Sequence, residues 1–227
     1  MYILGLHNDE DSGVCLLKNG KIIDIINEER LTRKKLQRGF PSKSLSYILK
    51  KNKLEIDDID YFAYGWHGRQ HDYSNYFKKL LNRVLSCNLK NKKIYNLIFE
   101  RLKFGRDNTT YKKFFSSIKK CKIPLDKMFF YDHHTSHAWS AFACSPFNKA
   151  LVFTMDARGD LKSASVSIAD KKKGLKELTN NLSFDSLGFL YSQITYYLGF
   201  KPHRHEGKVT GLAAYGNPFK TIHIFKK

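Results

Sequence analysis

The chain has 227 residues, 42% of them hydrophobic, and a formal net charge of +19. That length holds one large domain or two small ones with a real core, and no apolar run in it is long enough to span a bilayer, so no membrane partner is expected. The excess of lysine and arginine raises the question of a polyanion partner, but Asn and Ile are abundant too, as drift in base composition would give, and nucleic acid is not the expected partner.

The first apolar run, "YILGL" (2–6), suits a buried strand. "GVCLLKNGKIIDIINEERL" reads as two strands around a turn at Asn19-Gly20, a dipeptide that favours the positive φ of tight hairpins. "FPSKSLSYILKKNKL" reads as a helix with Pro41 near its start and Leu45, Ile48 and Leu49 on one face. "IDYFAYG" (59–65) is a further strand.

The character then changes. From Trp66 to Lys120 the acids are Asp72, Glu100 and Asp107 alone, against many basic residues, and the apolar positions recur at helical spacing. This predicts a basic helical insert over 66–123. Its aromatics, such as Tyr73, Tyr76, Phe77, Tyr95 and Phe99, are expected in a core rather than on a stacking platform.

"KMFFYD" returns to strand, and "HTSHAWSAFACS" to a helix stopped by Pro146. "KALVFTMDARGD" is expected as a buried strand running into a turn. "SASVSIADKKKGLKEL" gives two strands around a Lys-rich turn, "LGFLYSQITYYLGF" an apolar helix, and "GKVTGLAAYG" a short Gly-bounded helix. Hairpin-linked strands followed by helices, twice over, point to an α/β fold. Its ligand sites are expected at strand ends, near Asp11 and Asp156.

The segment "YDHHTSHAWSAF" (131–142) carries the sharpest chemistry. His133 and His137 are four apart, which on a helix sets both imidazoles on one face, where they can share a divalent metal at about 2.0–2.1 Å. His134 points away from that face and is left to a supporting or surface role. Asp156, ending an apolar strand, is the natural third ligand, because a carboxylate there needs a cation or donors. From spacing alone, structural histidines remain an equal alternative. "NDEDSG" (8–13) and "DARGD" (156–160) are acid-bearing turns after strands, where backbone N–H groups can face a phosphate. "EERLTRKK" (28–35) is by default a solvated charge run. In "HRHEGKVTGLAAYG" (203–216), Gly207, Gly211 and Gly216 allow a ligand close to the backbone. Cys15, Cys87, Cys121 and Cys144 form no CxxC pair, and "MYILGLHNDE" has neither a basic n-region nor a cleavage site. A reduced, cytoplasmic protein is expected.

In this order, "ILGL…DSG", "NEERLTRKK…FP", "HHTSHAWSAFACSPF", "VFTMDARGD" and "SLGFLYSQITYYLGF…HEGKVTGLAAYG" resemble the carbamoyltransferase family that includes nodulation and antibiotic O-carbamoyltransferases. The resemblance covers most of the chain outside the 66–120 segment. It implies an actin-like ATPase (ribonuclease H-like) fold, shared with the tRNA threonylcarbamoyl-adenosine transferases. It also implies a divalent metal, iron in relatives, on His133, His137 and Asp156. The chemistry it implies is transfer of a carbamoyl group from carbamoyl-adenylate, made from carbamoyl phosphate and ATP, to a hydroxyl or amine of a small-molecule acceptor. By motif position Asp11 would orient or deprotonate the acceptor, and Lys34 or Lys35 would contact carbamoyl or phosphate oxygens. Gly159, Lys208 and Gly211 would serve the phosphate or nucleotide.

Two positions depart from the family. Glu10 stands where relatives have His, and Ala157 where they commonly have Gly, which would strain the turn if position 157 needs a positive φ. Relatives also run to more than twice this length. The expected domains are therefore 1–65 as the first part of an actin-like subdomain, 66–123 as the insert, and 124–227 as a remainder cut before the second half and the C-terminal domain. A second chain carrying the missing half is an expected partner. The alternative is an inactive fragment or a non-catalytic metal-binding module of the same fold.

Overall fold

The computed structural model describes residues 1–66 and 108–225. The expectation of a helical insert falls mostly on 67–107, outside the described residues. The chain divides into two units, Met1–Ser136 and His137–Lys227, with the division inside one helix.

The first unit is a five-stranded mixed sheet in the order β3-β2-β1-β4-β5. β1 (Tyr2–His7), β2 (Gly13–Lys18) and β3 (Lys21–Asn27) form an antiparallel meander. β4 (Tyr61–Tyr64) lies parallel to β1, and β5 (Met128–Phe130) parallel to β4. The β2–β3 turn is at Asn19-Gly20, with φ of 50° and 78°, the left-handed pair that matches strand twist in a two-residue hairpin. α1 (Glu28–Thr32) follows β3, and α2 (Ser42–Asn52) starts just after Pro41 and ends on left-handed Lys53. α3 (Asn108–Lys120) is the described end of the basic segment.

Alternation along the strands explains the core. Leu4 and Leu6, Val14 and Leu16, and Phe62 and Tyr64 are buried together with Leu45 and Ile48 of α2 and Phe114 and Ile118 of α3. Each fully buried side chain of this kind contributes about 1.5–3 kcal/mol. α3 therefore belongs to the core of the first unit.

α4 (His133–Ala143) carries the chain into the second unit, a three-stranded antiparallel sheet in the order β6-β7-β8. β6 (Lys149–Gly159), β7 (Lys162–Asp170) and β8 (Gly174–Leu182) are its strands. Ala138 and Phe142 of α4 pack on Val152 and Ala169, with Trp139, Ala150 and Leu175 around them. The mixed α/β architecture is as expected. Two details differ from the sequence reading. β6 buries Val152 and Thr154 but leaves Leu151, Phe153 and Met155 more than half exposed, and its turn comes later, at Asp160-Leu161 (φ 46° and 70°), after a register break between Met155 and Gly159. The apolar run "ALVFTM" cannot by itself say whether one face or two are covered. α5 (Leu187–Tyr197), capped by the Ser186 hydroxyl accepting from the Phe189 N–H, and α6 (Glu206–Leu212) complete the unit, followed by short helical turns.

Candidate metal and acceptor site

The histidine segment folds as the helix its spacing predicts because Asp132 caps it. The Asp132 carboxylate accepts the Thr135 N–H at 2.9 Å, satisfying one of the otherwise unpaired donors of the first turn. His133 and His137 then stand one turn apart on one continuous helix, so their relation depends only on α4. The fully buried His134 lies about 100° round the helix from His133, and the surface alternative for it is excluded. The His133 ring packs against Trp66 at a centroid distance of 4.6 Å.

Asp156 comes from β6. Ala150, Val152 and Thr154 alternate toward the α4 face of the sheet, and Asp156 continues that parity. The break in the β6–β7 register re-aims the strand at this point. The Asp156 Oδ1 accepts its neighbour Ala157's N–H at 2.6 Å, and its Oδ2 lies 3.7 Å from His137 Nε2. That carboxylate raises the His137 pKa above the usual histidine value, against the opposing effect of partial burial. The two side chains are 53% and 35% exposed, so the pair is open to solvent and to a ligand. One donor atom each from His133, His137 and Asp156 lie within 4.8 Å of one another. A metal bonded at about 2.0–2.2 Å to each needs its ligand atoms roughly 3–4 Å apart, so small rotations about side-chain bonds close the set.

Ala157 is not a left-handed residue, so the strain expected at this departure is absent. The backbone at this position is closely approached by residue 188, which is glycine. A Cβ at Gly188 would lie 2.9 Å from the Ala157 Cα, where real side chains do not fit.

The other candidates divide between the units. Asp11 sits in the β1–β2 turn, exposed, with φ 61°. It lines a cavity of about 320 Å³ with Gly5, Gly13, Ala63, Gly65 and Tyr131, at the carboxyl ends of β1, β4 and β5, where open α/β sheets take ligands. Lys34 and Lys35 are exposed on the loop between α1 and α2. That loop is strapped to the Asp11 turn: Ser12 N–H donates to Gln37 O at 3.0 Å, Gly39 N–H donates to Asn8 O at 2.8 Å, and Arg38 pairs with Asp9 and Glu10. Glu10, in place of the family's His, is thus an ion-pair partner of Arg38. In the second unit, Gly159 is buried opposite Lys162 at the hairpin, while Lys208 and Gly211 are exposed, three apart on α6.

Sequence reasoning passed over Glu28. Set in a charge run, it is 5% exposed. Its carboxylate accepts the N–H groups of Lys43 and Ser44, at 3.0 and 2.7 Å, and the Ser44 hydroxyl at 2.7 Å. It caps α2 from a distance and thereby closes the loop bearing Lys34 and Lys35. The signal available in sequence was the absence of a side-chain cap at Pro41, just before Ser42.

Among the described residues no helix is long and apolar enough to cross a membrane. Residues 2–225 match the family described as Carbamoyltransferase N-terminus. An uncharacterized protein of Methanocaldococcus jannaschii is 35% identical over 213 residues, which is 94% of this chain and 33% of that protein. The nodulation protein NolNO of Sinorhizobium fredii is 30% identical over 223 residues, 96% of this chain and 29% of its own length. The chain spans about a third of the length of such curated relatives. Among solved structures, YeaZ from Pseudomonas aeruginosa superposes with a TM-score of 0.40 at 10% identity, over 80% of this chain and 66% of its own.

Proposed function

Since the chain belongs to the carbamoyltransferase N-terminus family, we propose that it supplies the metal-holding part of a carbamoyl-transfer site. The carbamoyl group would pass from carbamoyl-adenylate to a hydroxyl or amine of a small-molecule acceptor. The observation that carries this reading is the convergence of His133, His137 and Asp156 from α4 and β6.

The donor set suits the role. Two imidazoles and one carboxylate make three protein ligands, which leaves coordination positions open as catalytic rather than structural sites do. Two histidines and a carboxylate are also a set that ferrous iron accepts, in keeping with the iron expected from the resemblance. A metal held there would offset phosphate charge on the carbamoyl donor as a Lewis acid. His133 and His137 would each bind as the neutral imidazole, and Asp156 would add the single negative charge. Asp11, on the rim of the cavity in the first unit, would accept a hydrogen bond from the acceptor hydroxyl and take its proton. Lys34 and Lys35 would meet carbamoyl or phosphate oxygens as point charges. Gly159, Lys208 and Gly211 remain candidates for phosphate or nucleotide contact. A second chain, or further sequence equivalent to the rest of the relatives, would supply what else the reaction needs.

Metal content tests the reading. Purified wild-type protein reconstituted with ferrous iron or zinc should retain about one equivalent per chain, and His137→Ala should lose at least tenfold in affinity. Equal metal content in the two proteins would sink the site assignment.

A further inference from the structure

Among the three metal-site candidates, His133 is half-buried and His137 is exposed. The His133 ring packs on Trp66, which directly follows β4 and Gly65. The two rings lie 4.6 Å apart between centroids, at an interplanar angle of 56°. Both residues belong to the first unit, so the contact needs nothing from the second.

The backbone puts the indole there. The Tyr131 N–H donates to Tyr64 O at 2.9 Å, which ties the chain just before α4 to the end of β4. Gly65 then passes so close to the first turn of α4 that a Cβ on it would lie 3.1 Å from Ser136 Oγ. The Ser136 hydroxyl is itself held, donating to Asp132 O at 3.0 Å. With no side chain at position 65, the next residue comes up against His133. Trp66 also packs on the buried core of the first unit, which holds Tyr64 and Phe114. The indole is therefore a fixed wall rather than a loose surface group.

That wall has a chemical consequence. A metal bonded to an imidazole nitrogen lies in the plane of the ring, so the torsion of the ring decides where the metal sits. The χ2 torsion of histidine is broad, and packing must choose within it. A site is precise when the rotamers of its ligands are locked by packing before the ion arrives.

We propose, on the reading that His133, His137 and Asp156 hold a metal, that Trp66 is a positioning residue for that metal. Its indole fixes the His133 ring as the preformed ligand, and His137 and Asp156 close on the ion by side-chain rotation. Trp66 acts through His133 and touches neither the carbamoyl donor nor the acceptor. One imidazole separates the indole from the ion, so a paramagnetic ion bound there quenches Trp66 emission. The chain has two tryptophans, and Trp139→Phe leaves Trp66 as the sole emitter.

Cobalt(II) and zinc(II) titrations of the 227-residue chain test this, with each variant held below its melting midpoint. Trp66→Leu keeps an apolar side chain against the core but removes the flat face. It should weaken metal binding by about tenfold, as loss of a ligand-orienting partner does. Trp66→Phe restores a flat face and should recover most of that loss. In Trp139→Phe, cobalt(II) should quench the emission with the midpoint of the metal titration, and zinc(II), which has no unpaired electrons, should leave most of it. The quenching is read with Trp66 intact, so it stands even where Trp66→Leu does not fold. A purely structural Trp66 would lower the melting midpoint and leave the affinity of the folded protein unchanged. Unchanged affinity in Trp66→Leu, a Trp66→Phe no better than Trp66→Leu, or cobalt(II) that binds without quenching would overturn the proposal and leave the metal site standing. A wild-type chain that takes up no metal would overturn both.

Discussion

Glu28 shows how far a single residue can stand from its apparent role. Its neighbours Glu29, Arg30, Arg33, Lys34 and Lys35 invite a reading as solvated charge, yet both Glu28 oxygens are spent on the first turn of α2. A buried carboxylate is tolerable only because three donors meet it. Glu28→Ala leaves the Lys43 and Ser44 amides without that partner, and it should cost about 2 kcal/mol in urea unfolding. A loss below about 0.5 kcal/mol would mean that water replaces the carboxylate without penalty. The histidines behave differently. The 3.6-residue repeat alone separates His133 and His137 from His134, because the angular phase of a helix is a local property. That His134 is buried depends on what packs over it, and local phase cannot supply that.

Helices and hairpins are legible where the determining contact is close in sequence. The Asn19-Gly20 turn and the start of α2 after Pro41 are of this kind. β6 is not, because an apolar run reads the same whether one face or both are covered. The place where α5 meets β6 adds a contact of high sequence separation. Gly188 lies so close to Ala157 that Gly188→Ala should destabilise the second unit by about 1–3 kcal/mol, as overpacking does. Gly207, in the first turn of α6, has open space around it, and Gly207→Ala should stabilise by about 0.5 kcal/mol. Thermal unfolding of the two variants checks the opposite signs. Equal effects would show that the close approach of α5 to Ala157 does not decide the outcome.

At the scale of the chain, the 227 residues span about a third of the length of its relatives. In its second unit Leu151, Phe153 and Met155 of β6 stay more than half exposed, whereas the first closes its core with α2 and α3. A transfer site needs water excluded and the donor enclosed. The 227-residue chain supplied with ATP, carbamoyl phosphate and a hydroxylated acceptor is therefore expected to form no carbamoylated product above background. Turnover at about 1 s⁻¹ or faster would place it within the ordinary enzymatic range and show that the described units suffice. The +19 charge adds little to this picture, since much of it comes from the basic segment whose central residues lie outside the described ones.

By itself the sequence determined the α/β class, the two strand meanders, the helix carrying His133 and His137, and the family, because periodicity, turn chemistry and ordered motifs are written in neighbouring residues. Only the tertiary structure decided that Asp156 reaches His137, that Glu28 caps α2, that Gly188 comes close to the Ala157 backbone, and that Leu151, Phe153 and Met155 of β6 stay largely exposed. Each of those depends on which surfaces meet across long stretches of chain, and burial and close approach are properties of the pair, carried by neither residue alone.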